Sequence, residues 1–352
     1  MPRVGRKVRG VEMLRLPPVG IVAATALLVA LSACSPVSQG DGNEGGGKSL
    51  ILAHPLPPLA PPRSGVIVPF IQRLAEVSGG RLTAEEYMGG ALGSDARRYY
   101  PMLLEGVADI ALVVPGYTAT TFPRTALSTF PGVCDSPVDC TAALQRGLTV
   151  LEDDYNARIL AMWSPGPPVL LTRDRPVRRL EDIRGLKLRV PSAIEMPFLE
   201  ALGATPVQQP VTELYQSLQT GVIDGIVMPA GGIPAFRLNE VASFLTTWMP
   251  LSATPVTLLM SRGAYDLLTP RERRWVDEAS GVRLSESGGQ AFELATARGL
   301  GFARESGIEM IDLSDSEKAR FLGAVAGVYE AELSRRIGDV TVAEILAGLV
   351  GN

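Results

Sequence analysis

The sequence predicts an α/β protein of two lobes joined by a hinge, and three observations carry that expectation. Strand-like and helix-like segments alternate along most of the chain, the pattern of mostly parallel sheets covered by helices. Asp109–Val114 reads as a continuous apolar run, the mark of a parallel strand buried on both faces. Far down the chain, beyond Pro255, the strand-like Val256–Ser261 is placed to return to the first lobe. The 352 residues, 46% of them hydrophobic, are enough for about two domains.

In chain order, Ser49–Ala53 is strand-like and His54 to Pro62 is a Pro-rich loop. Val66–Val77 has helical periodicity and stops at Gly79-Gly80. A strand at Arg81–Tyr87, the turn Gly89-Gly90 and a helix from Ser94 to Glu105 follow. After Asp109–Val114 come a helix at about Val138–Asn156 and the strand Arg158–Trp163. The second α/β unit opens near Pro165–Pro168 with the strand Val169–Arg173. Gly185–Pro229 then holds two β-like runs, Leu186–Val190 and Ile223–Val227, around two helix-like segments joined by Gly-Ala-Thr-Pro. The second of those segments, with Thr212, Leu214, Tyr215 and Leu218, reads as a capped amphipathic helix stopped at Gly221. Thr269-Pro270 opens a helical stretch with Thr as N-cap, reaching about Arg304 with interruptions at Gly281 and Gly288-Gly289. A strand Ile308–Leu313 and a helix Ser316–Arg336 complete the pattern.

The N-terminus reads as a targeting segment. Arg3, Arg6, Lys7, Arg9 and Arg15 precede the apolar run Val19 to Ala30, shorter than the ~20 residues a spanning helix needs. It ends in Leu31-Ser32-Ala33-Cys34, which resembles a lipobox whose cysteine is lipidated and anchors the protein to a membrane. The alternatives are an ordinary signal peptide or an uncleaved anchor helix, and Met13 is a second candidate start. Ser35 to Lys48 has too little apolar surface to pack and reads as a flexible tether. Cys134 and Cys140 lie six residues apart; outside the cytoplasm such a pair favours a disulfide, with two free thiols as the alternative. The resulting organisation is a signal peptide at residues 1–34 and a tether at 35–48. Lobe I takes 49–165 plus 254–293, and lobe II takes 166–253 plus 294–352.

Arg189 stands at the end of its strand, just before Val190-Pro191, where α/β proteins meet their ligands. Its guanidinium offers a planar fork of donors that fits a carboxylate. Pairing with Glu195 or Glu200 on the lobe surface is the competing role.

The chain also resembles the periplasmic solute-binding proteins of TRAP transporters, the DctP-like family, from about Ser49 to Leu313. The resemblance rests on Ser78-Gly79-Gly80-Arg81, Gly89–Asp95, Glu105–Asp109, Arg175-Pro176 with Asp182–Val190, Leu202-Gly203-Ala204 and Glu213–Gly225 in this order. It implies a two-lobed periplasmic-binding-protein-like fold, with a long helix spanning both lobes at the stretch after Pro270. It also implies a small organic carboxylate as ligand, a separate TRAP membrane permease as partner, no cofactor, and Arg189 as the carboxylate-binding arginine. The chain departs from the family pattern in two places. Members usually show Asp-Gly-Gln-Glu-Asn-Pro, whose Asn contacts ligand; here Asp224-Gly225-Ile226-Val227-Met228-Pro229 puts Met228 at that position. Many carry a second arginine where this chain reads Gly166-Pro167-Pro168-Val169. A monocarboxylate with an apolar or aromatic body is therefore the expected ligand. Beside Arg189 and Met228, the candidate contacts are Ser192, Tyr117, His54, Trp163, Trp248 and Val211. Each has a plain structural alternative, such as a helix cap for Ser192, hinge packing for the tryptophans or a loop hydrogen bond for His54.

A net charge of −4 with no basic block beyond the N-terminus disfavours nucleic-acid binding. One histidine and three cysteines leave little material for a metal site or His-dependent catalysis. No nucleophile elbow, phosphate-cradling loop or His-x-x-x-His pair is present, so an exported enzyme is the weaker alternative and a lipid-anchored sensor the stronger one.

Overall fold

The computed structural model of the protein describes residues 47–351. The signal peptide with Cys34 and most of the tether lie outside the described residues. The chain begins with β1 (Lys48–Ala53), α1 (Val68–Ser78), β2 (Leu82–Tyr87), α2 (Tyr99–Leu104) and β3 (Ile110–Val113). It continues with α3 (Pro137–Arg146), α4 (Leu148–Leu151) and β4 (Ala157–Trp163). A second run holds β5 (Val169–Thr172), β6 (Lys187–Val190), α5 (Met196–Ala201), β7 (Thr205–Gln208), α6 (Leu214–Thr220), β8 (Gly225–Met228) and β9 (Phe244–Thr246). The last part comprises β10 (Val256–Ser261), α7 (Arg262–Asp266), α8 (Pro270–Ala279), α9 (Val282–Glu305), β11 (Glu309–Ile311), α10 (Asp315–Leu333), β12 (Arg336–Ile337), β13 (Val340–Thr341) and α11 (Val342–Val350).

These strands form two principal sheets, ordered β2-β1-β3-β10-β4 and β11-β9-β5-β8-β6-β7, which gives the two-lobed α/β fold. Both are mixed rather than mostly parallel. In the first, β10 lies antiparallel to β3 and β4; in the second, β5 lies antiparallel to β8 and β9. The physical reason is the crossing between sheets. The chain leaves the first sheet at Trp163 and comes back to it at Val256, so each entering strand inserts against its neighbours' direction.

The elements follow from local chemistry. β3 and β8 are buried at every position, as strands covered on both faces must be. α8 starts with Thr269 accepting from the Glu272 amide and Glu272 accepting from the Thr269 amide, a complete capping box with Pro270 at the first position. The helical stretch breaks at Gly281, whose φ of 90° no L side chain adopts comfortably. It does not break at Gly288-Gly289, which lie inside α9. A Cβ on Gly288 would sit 2.6 Å from the Trp163 ring, and one on Gly299 would sit 2.1 Å from the Ala230 carbonyl oxygen. Glycines therefore let α9 press its backbone against both sheets.

The helix expected at about Val138–Asn156 divides at Gly147 into α3 and α4, and α6 begins at Leu214 with no side-chain cap from Thr212. Three further elements depart from the sequence expectation. The Gly-Ala-Thr-Pro joint is the start of strand β7, an edge strand held by main-chain pairing to β6. β9, only three residues long, joins β5 and β11. The chain ends in α11, opened by a Thr341/Glu344 capping box and fastened to α3 where Arg146 donates to the Leu349 carbonyl at 2.8 Å. Cys134 and Cys140 form a disulfide that closes the loop before α3.

Candidate functional site

The carboxyl ends of β3, β6 and β8 converge on one cavity of about 110 Å³ between the two sheets. Strand ends at such a crossing are where open α/β sheets leave a crevice. Leu112 of β3 with Val114 and Tyr117 after it, Arg189 of β6 with Pro191 after it, and Val227 and Met228 of β8 with Pro229 after it all enter the wall. Leu56, Ala60, Pro61 and Pro62 from the loop after β1 make one side. Phe236 and Phe292, the latter from α9, bring aromatic rings. Pro165 and Pro168 line it from the first crossing, and Ser252 to Thr254 from the second. The wall is therefore almost wholly apolar.

Arg189 is its cation. The side chain is 3% exposed, and burial pulls its pKa down while Tyr117 and Glu195 favour the charged form. Nε donates to the Gln209 carbonyl at 2.8 Å and Nη1 to the Val227 carbonyl at 3.3 Å. These bonds fix the guanidinium plane, and the Tyr117 hydroxyl stands close enough to Arg189 to favour its charge by hydrogen bonding. A cation held in place in a mostly apolar wall is equipped to take a carboxylate.

Tyr117 stands beside it. Its hydroxyl accepts from the Val211 amide at 3.0 Å, and burial pushes its pKa up, so it stays a neutral phenol. Its own hydrogen remains available as a donor. Gln208 Nε2 donates to the Gly116 and Tyr117 carbonyls at 3.4 and 3.3 Å, and Arg97 pairs with Glu213 at 3.2 Å. These bonds join residues following β2 and β3 to residues of β7 and the segment after it.

Glu195 is the group the sequence expectation missed as a cavity residue. It lies on the turn before α5, is 2% exposed, and accepts from Thr254 Oγ1 at 3.1 Å. Burial pushes its carboxyl up to about 8, against the opposing pull of the Arg189 charge and the Thr254 hydroxyl. It makes no ion pair with Arg189, the alternative partner raised above. The signal that separates it from an ordinary first-turn acid is its distant partner Thr254, and the sequence does not display that contact.

Of the eight expected contacts, the structure brings Arg189, Met228, Tyr117 and Val211 together around this cavity. It places the other four elsewhere. His54 is fully buried and bound to Glu86 at 2.9 Å. Trp163 packs on α9 over Gly288. Trp248 stacks edge-on against Phe321 of α10, with ring centroids 6.3 Å apart. Ser192 is buried with its hydroxyl unpartnered beside Gly116, and it caps no helix.

The DctP family model, described as bacterial extracellular solute-binding protein, family 7, matches residues 52–335. The uncharacterised protein YiiZ of Salmonella typhimurium is 27% identical over 267 residues, 74% of this chain and 80% of its own length. A TRAP solute-binding protein from Rhodoferax ferrireducens, solved with copurified benzoate, superposes with a TM-score of 0.81 at 25% identity. It covers 86% of this chain and 97% of its own. A marine metagenome TRAP solute-binding protein specific for aromatic acids, solved with 3-hydroxybenzoate, gives 0.80 at 26% identity over 87% of this chain and 98% of its own.

Proposed function

We propose, from the premise that the chain belongs to the DctP family of bacterial extracellular solute-binding proteins, that it captures a monocarboxylate with an apolar or aromatic body. Family membership makes it a TRAP-type binding protein for small organic acids. The finer reading is that the carboxylate docks on Arg189 and the body fills the space among Met228, Phe236 and Phe292. One observation carries it: a single buried guanidinium, among the described residues the one cation of a mostly apolar cavity wall, held in place by the Gln209 and Val227 carbonyls.

Size and polarity support it. An apolar cavity of about 150 Å³ takes benzene in another protein, so 110 Å³ confines the ligand to a small body, no larger than a single ring. A second ionised carboxylate would enter without a cationic partner in this wall, at the desolvation cost of an unpaired charge. The TRAP proteins that bind benzoate and 3-hydroxybenzoate are similar to this chain over nearly their whole length. Closure around the ligand would be followed by delivery to a TRAP membrane permease, and lipid on Cys34 would hold the protein at the membrane.

Calorimetric titration with benzoate and with succinate tests the ligand class. The reading expects benzoate to bind at least about tenfold more tightly, a difference of ~1.4 kcal/mol. Tight succinate binding with no benzoate binding would sink it.

A further inference from the structure

The cavity wall carries three titratable groups among the described residues, namely Arg189, Tyr117 and Glu195. This inference rests on the carboxylate reading above and concerns the third. We infer that Glu195 is a second polar contact of the ligand: as a neutral carboxylic acid it donates a hydrogen bond to the carboxylate held by Arg189, so anion binding at alkaline pH takes up a proton.

The geometry supports each step. Glu195 shares the cavity wall with Arg189, yet only one of its oxygens is engaged, by the Thr254 hydroxyl at 3.1 Å. The other is free for a ligand. A charged Glu195 would repel an incoming anion inside a mostly apolar pocket; a neutral one adds a donor. Two carboxyl groups in one apolar site therefore share one proton, and the bound ligand selects the protonated form of Glu195.

The groups facing Glu195 are few. Arg189 faces it from β6 and favours ionisation, while burial opposes this and holds the carboxyl up at about 8. Tyr117, on the turn after β3, is a neutral phenol with its pKa raised, and Thr254 before β10 does not titrate. Glu213 acts on Arg189 and Tyr117 and is itself paired with Arg97. Near neutrality Glu195 is mostly protonated, so binding takes up little proton. Above pH 8 a proton must come from solvent, and affinity falls.

Benzoate, ionised throughout, is titrated calorimetrically into the wild-type protein and Glu195→Gln from pH 6 to 10, at high pH in two buffers of different ionisation enthalpy. The wild-type Kd is expected to hold below pH 8 and weaken by about tenfold per unit above it, with up to one proton taken up. Glu195→Gln, neutral at every pH, is expected to lose both effects. The buffer dependence of the wild-type protein carries the test even if the variant folds poorly. Benzoate binding with a flat wild-type profile and no proton uptake would overturn this inference alone, as would a slope that persists in Glu195→Gln. Absence of benzoate binding at every pH would overturn the carboxylate reading and this inference with it.

Discussion

His54, Glu86 and Arg63 meet beside the first strand in one hydrogen-bonded cluster, whereas Arg189 and Glu195 share a cavity wall with no ion pair between them. In the first cluster Glu86 accepts from His54 Nε2 at 2.9 Å and from Arg63 Nε and Nη2 at 2.9 and 3.0 Å. Burial alone would raise the Glu86 pKa, but the hydrogen bonds from Arg63 and His54 outweigh it and the net shift is downward. At the cavity the balance falls the other way, and burial keeps Glu195 a neutral acid. Paired charges spend their hydrogen-bonding capacity on the fold. Arg189 and the neutral Glu195 keep part of theirs, which on the function proposed above serves a ligand.

Breaking the clasp has the largest expected effect on stability. Glu86→Ala leaves buried His54 Nε2 without its acceptor and Arg63 without its carboxylate, and unfolding in denaturant is expected to show a loss of about 2 kcal/mol. A loss under about 0.5 kcal/mol would make the cluster ornamental. At the cavity, Arg189→Lys keeps the charge and removes the fork. An ammonium cannot satisfy the Gln209 and Val227 carbonyls and also present two parallel donors, so benzoate affinity should drop about tenfold. Unchanged affinity would remove Arg189 from the site. The smallest effect belongs to His54, the single histidine in the chain. Burial lowers its pKa below the usual 6.5, although Glu86 pulls upward. The unfolded state then takes up the proton first, so stability falls as pH drops below 6.5 and levels off under the folded value. The one imidazole signal in an NMR titration should show a midpoint under 6.5; a midpoint above it would mean that the Glu86 pairing outweighs burial.

The same contrast marks how far the sequence is legible. Alternating elements, the return of Val256–Ser261 and the break at Gly281 are visible because periodicity and glycine act locally. Arg189 and Met228 are visible because strand-end positions and the residues around them carry a recognisable pattern. Tyr117 follows from the same reasoning at β3. His54 and Trp163 also stand at strand ends, but one side chain turns into a hydrogen-bonded clasp and the other under α9. The direction a strand-end side chain takes depends on its neighbours in space. Phe292 and Phe236 reach the cavity from a helix and a turn whose sequence marks a buried face without saying what it is buried against. β7 escapes notice because an edge strand needs main-chain pairing more than an apolar pattern, and Pro206 weakens what pattern exists. α11 does carry a local signal, the Thr341-x-x-Glu344 box.

The central claim, that Arg189 holds the carboxylate of an apolar or aromatic acid, is tested most directly by native mass spectrometry of protein purified without refolding. A co-purified monocarboxylate with a ring or aliphatic body, present on the wild-type protein and lost from Arg189→Ala, is the expected result. A C4-dicarboxylate or sugar acid on the wild-type protein, or the same ligand retained by Arg189→Ala, would contradict it.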